Sequence, residues 1–60
     1  MTVRIYLKET SQPIEFKNAH NTYQKGGFFC VLVKTSKGTH IEGFVYKYPI
    51  ANIFNVKESY

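Results

Sequence analysis

GGFFCVLVKT, residues Gly26 to Thr35, sets six consecutive apolar side chains, Phe28 to Val33, behind a pair of glycines. As an extended segment it directs Phe28, Cys30 and Leu32 to one face and Phe29, Val31 and Val33 to the other, because side chains alternate along a strand. A strand apolar on both faces is normally central in its sheet and covered by protein on each side. Six residues fall far short of the roughly 20 that cross a bilayer as a helix. The run therefore belongs to a core or to an interface, and the flanking sequence has to supply the cover.

On both sides of it the chain alternates in short pieces. Val3, Ile5 and Leu7 interleave with Arg4, Tyr6 and Lys8, the period of two that marks a half-buried strand. Glu9 to Pro13 is polar and ends in proline, which reads as a turn. Ile14 and Phe16 alternate with Glu15 and Lys17, giving a second short strand antiparallel to the first. Asn18 to Asn21 interrupts it, Thr22 to Lys25 resumes as a third extended piece, and Gly26-Gly27 is a tight hairpin turn. Beyond the apolar run, Ser36 to Thr39 reads as another turn. His40 to Tyr48 then forms a long strand rich in aromatic and β-branched residues. Gly43 inside it predicts a bulge or a sharp bend. Pro49-Ile50-Ala51 suits one helical turn. Asn52 to Lys57 makes a last strand, with Phe54 and Val56 on one face and Ile53 on the other. No segment keeps a helical apolar period over eleven residues. The expected fold is a single all-β domain over residues 1–60, a small five- or six-stranded antiparallel barrel or strongly bent sheet with no long helix. Ile5, Leu7, Phe16, Cys30, Leu32, Val45 and Phe54 are its expected core.

Sixty residues bury only about 60% of the surface that the unfolded chain exposes, so chains of this size often add disulfides, a metal or oligomerisation. Cys30 is the only cysteine, which excludes a disulfide within the chain and points to a reducing compartment. The opening MTVRIYLKETSQP alternates, whereas a secretory signal needs an apolar block of about 7–15 residues. A cytoplasmic protein without a membrane segment is expected. Cys30, His20 and His40 lie far apart, with no CxxC or HxxxH spacing, so no metal and no cofactor are expected. Cys30 sits between Phe29 and Val31, where cysteine reads as a small buried hydrophobe and not as an activated nucleophile. The four acidic residues are isolated, and no GxSxG, P-loop or GxGxxG occurs. The chain does not read as an enzyme.

Eight lysines and arginines against four acids leave a net charge of +4, which favours a polyanion or an acidic protein surface. The cations are dispersed and interleaved with aromatics. Arg4, Tyr6 and Lys8 share the polar face of the first strand, Tyr23 and Lys25 share a face of the third, and Tyr46, Lys47 and Tyr48 close the long one. Exposed aromatics beside cations hold single-stranded RNA or DNA by stacking bases and neutralising phosphates. Tyrosines that merely straddle core and solvent give the same pattern. Tyrosine and arginine also anchor protein partners, so an accessory or inhibitor protein acting through an apolar β surface is the alternative. So short a chain has little material for covering both faces of Phe28–Val33. A second copy is the expected cover, giving a homo-oligomer, a dimer, with Phe29, Val31 and Val33 at its contact.

The order VRIYLKET, PIEFKNA, FFCVLVKT, VYKYPIANIFNV resembles the strand sequence of the Sm-like (Hfq-type) proteins. There an apolar strand precedes a closing motif that YKYPIANIFNV matches at Tyr46, Lys47, Ile50 and Ile53. The resemblance implies a small β-barrel with an RNA-binding role. Length and the YPIANI segment are also similar to small accessory proteins of phages and prophages of low-GC Gram-positive bacteria. That likeness, too, implies binding rather than catalysis.

Overall fold

A computed structural model describes residues 1–60 throughout. Six strands form: β1 (Thr2–Leu7), β2 (Ile14–Phe16), β3 (Asn21–Lys25), β4 (Phe28–Lys37), β5 (His40–Pro49) and β6 (Ile53–Ser59), with one 3-10 turn, Ile50–Asn52, between the last two. They make two three-stranded sheets in the orders β2-β1-β6 and β3-β4-β5, and every pairing is antiparallel. The apolar run is the centre of the second sheet, as its two-faced composition requires. No helix is long and apolar enough to cross a membrane.

Turn chemistry explains why the strands reverse where they do. Gly26 and Gly27 take φ of 59° and 80°, the double left-handed conformation of a type I′ hairpin that only residues without a side-chain penalty adopt readily. Gly38, φ 62°, opens the β4–β5 hairpin, while Thr39 stays at negative φ, which is the II′ pattern. That hairpin is longer than the sequence suggests, because the pairing continues through Lys37 and His40. Gly43 makes no bulge: the register runs unbroken from Phe28 opposite Pro49 to Lys37 opposite His40. The irregularity falls instead on β1 and β6. Tyr6 faces Asn55 and Leu7 faces Ile53, so Phe54 has no partner.

The sheets pack face to face over one small core. Val3, Ile5, Phe29 and Val31 are buried there with Ala19 from the link between β2 and β3, and Leu7, Ile14, Phe16, Val33, Tyr48, Ile53 and Val56 pack around them. Hydrogen bonds tie the layers at their margins. Met1 and Ala19 exchange backbone bonds of 3.0 and 2.9 Å. The Thr22 hydroxyl on β3 donates to the Glu58 carboxylate on β6. The 3-10 turn reaches both sheets, through Ile50 N–H to the Gly27 carbonyl and the Lys8 N–H to the Asn52 carbonyl.

Two expectations about burial are corrected. Phe54 is 76% exposed and Val45 43%. The bulge turns Phe54 out and brings Ile53 in, and Val45 lies on the face of β5 that no layer covers. Phe29, Val31 and Val33, expected at a contact between copies, face β1 within the same chain, with Phe29 and Val31 buried. The first sheet supplies the cover that a second copy was expected to give.

Candidate binding face on the second sheet

Antiparallel register places cross-strand partners on the same face of a sheet. Tyr23, Cys30 and Lys47 are such a rung across β3, β4 and β5, and Lys25, Phe28 and Pro49 are the next. Both rungs lie on the face turned away from the core, since Phe29 and Val31 occupy the opposite one. Strands about 4.8 Å apart and rungs two residues apart, about 6.8 Å, set these side chains around a small area. Tyr23, Lys25, Gly26, Phe28, Cys30, Val45 and Lys47 line a depression of about 460 Å³ there, within the ~300–1,000 Å³ of small-ligand clefts.

Cys30 is the floor. It is wholly buried, its Sγ lying 3.8 Å from the Phe28 carbonyl, so it supports the surface above it and is not presented to solvent. Tyr23 and Phe28 are 38% and 40% exposed, which leaves their rings free to meet a flat ligand. Lys25 and Lys47 are exposed on the two flanking strands. Lys34 continues the same face along β4, opposite Gly43. None of the four acids reaches it. Glu15 pairs with Arg4 on the first sheet, Glu58 accepts from Thr22, Glu42 is exposed on the opposite face of the second sheet, across from Thr35, and Glu9 lies in the turn after β1. The depression is thus cationic with no internal counter-charge.

The remaining sequence candidates are distributed elsewhere. Arg4 and Tyr6 occupy the outer face of the first sheet, where both are already engaged. Arg4 Nε donates to Glu15 Oε2 at 2.7 Å, and that bond and the Glu15 charge hold the guanidinium pKa above its ordinary value. Lys57 Nζ sits 5.7 Å from the Tyr6 ring centroid, in cation–π range. Lys8 is exposed beyond the end of β1. Tyr46 and Tyr48 are separated from Lys47 by alternation and face inward, their rings 5.1 and 6.4 Å from that of Phe16. Burial, and then the neighbouring Tyr46, push the Tyr48 hydroxyl pKa above its usual 10.0. The single expected basic-aromatic surface therefore splits three ways, and only Tyr23, Lys25 and Lys47 converge. Phe28 and Cys30 join them. Their role was hidden in sequence because they read as core, and only the unpartnered outer face makes Phe28 a wall.

No three histidine, cysteine or acidic side chains gather in a metal-holding group. No protein-family model, curated protein or solved structure matches the chain at a significant level.

Proposed function

We propose that the outer face of the second sheet binds single-stranded nucleic acid without catalysis. A base would lie against Tyr23 and Phe28 with phosphates at Lys25 and Lys47. The observation that carries this reading is a concave, acid-free surface in which two exposed aromatic rings lie between two unpaired lysines. Every base has a π-face, so such a platform tolerates sequence, while the lysines act as point charges for phosphate.

Titration with RNA and DNA oligomers at low and rising salt is the test. On single strands, log affinity falls against log salt by about 0.7 for each phosphate neutralised. Lys25→Ala and Lys47→Ala should each weaken binding and flatten that slope by about one such step. Tyr23→Ala should cost roughly 1–3 kcal/mol through lost stacking. Arg4→Ala should leave affinity unchanged, because Arg4 is committed to Glu15. Failure to bind either polymer at low salt, or equal losses from Arg4→Ala and Lys47→Ala, would refute the assignment. A partner found to bind with no salt dependence would favour the protein-binding alternative.

A further inference from the structure

The second sheet ends on β5, and that edge differs from the other three. β2 has three residues and β3 five, while β6 carries Lys57 and Glu58 along its seven. β5 has ten, and Gly43-Phe44-Val45-Tyr46 at its middle bears no charge. Charges, prolines, bulges and brevity are the devices that keep edges from pairing with another chain. The centre of β5 has none of them.

The backbone pattern defines what the edge offers. Ile50 N–H bonds the Gly27 carbonyl at 3.0 Å, which makes Phe28 and Pro49 a pair without mutual hydrogen bonds. Alternation along an antiparallel ladder then turns the N–H and C=O groups of Ile41, Gly43, Val45 and Lys47 away from β4, together with the carbonyl of Pro49. An extended strand is the occupant that satisfies such a row.

We propose that this strand is β5 of a second copy, in a two-fold dimer centred on Val45. A two-fold axis normal to the sheet pairs one residue with itself, and Val45 is the middle of the five outward-facing positions. In that register Gly43 faces the partner's Lys47, and Ile41 faces the partner's Pro49, so the donor that proline lacks falls at the last rung. Phe44 and Tyr46, 46% and 45% exposed, each lie opposite the other from the partner, the aromatic cross-strand pairing that stabilises sheets. No like charges are opposed. The result is a continuous six-stranded sheet whose outer face carries both lysine-flanked depressions. The dimer does not depend on what those depressions bind.

Sedimentation equilibrium of the wild-type chain should give a mass rising with concentration toward twice 7.0 kDa. Val45→Pro removes an outward N–H and leaves the β4 ladder its bonds, so it should give a monomer. Should that variant fail to fold, Val45→Cys gives the same decision by another route. Self-paired residues in a hydrogen-bonded position lie about 5.5 Å apart at Cα, within disulfide reach, so mild oxidation should crosslink it completely as a dimer. Ile41→Cys, facing proline in this register, should crosslink far less. A wild-type monomer at the highest soluble concentration would overturn the proposal. So would a dimer that survives Val45→Pro, an assembly larger than two, or equal crosslinking at both positions.

Discussion

Ile5 and Phe54 are both large apolar residues in strands, yet one is wholly buried and the other 76% exposed. Ile5→Ala should therefore cost about 2–5 kcal/mol, transfer and cavity together, out of a total near ~3–9 kcal/mol for a chain of this length. Phe54→Ala should stay within about 0.5 kcal/mol of the wild type. Chemical denaturation of the two variants checks the contrast, and similar losses would contradict the bulge that ejects Phe54. Tyr48 links a residue to pH. Its raised pKa means that the folded chain holds the phenolic proton more tightly than the unfolded chain does. That contribution is complete below about pH 10 and is lost as pH rises through the folded value. Tyr48→Phe should therefore lose less stability than the wild type between neutral pH and pH ~11. Denaturant midpoints across that range measure it, and parallel curves would remove Tyr48 as the cause.

At the scale of the element, the glycines divide by conformation. A side chain at Gly27 would meet no atom within 4 Å but would be held at φ 80°. Gly27→Ala should cost about 1–2 kcal/mol from backbone strain alone. Gly43 is extended, and an added Cβ would lie 3.8 Å from Leu32 Cδ1, an ordinary contact. Gly43→Ala should be neutral or should stabilise β5 by up to ~1 kcal/mol, since glycine weakens a strand interior by about that much. Thermal melts of the pair should shift in opposite directions or leave Gly43→Ala unmoved. A loss at Gly43 as large as at Gly27 would mean that β5 needs its flexibility.

The whole molecule is elongated, 39 × 23 × 18 Å with a radius of gyration of 12.3 Å, against about 10 Å for a compact chain of this length. Its core is small: six of sixty residues are buried. The far half of the β4–β5 hairpin, from Lys34 to Glu42, is exposed throughout. Local stability follows burial. Hydrogen exchange should therefore show amides of Val3, Ile5, Cys30 and Val31 opening only with global unfolding, and those at the tip of the β4–β5 hairpin, Ser36 to His40, opening well before. Uniform protection along β4 would mean that the hairpin arm is held by contacts outside the single chain.

Sequence alone determined the β class, because alternation and turn chemistry are local. Val3-Ile5-Leu7 against Arg4-Tyr6-Lys8, the Gly26-Gly27 turn and the two-faced run after it each act within a few residues of themselves. It also determined that Phe28–Val33 is a central strand. The face of that strand which meets the core was not local. Composition allows either, and the choice of Phe29 and Val31 was made by the packing of β1 against them. Likewise, Tyr46, Lys47 and Tyr48 are neighbours in the chain, but alternation sends their side chains to opposite faces. Tyr23, Lys25 and Lys47 converge through the registers of two hairpins. Tertiary structure decided the site for that reason: a binding face is a statement about which strands are adjacent and which faces are left uncovered, and neither is written in any one segment.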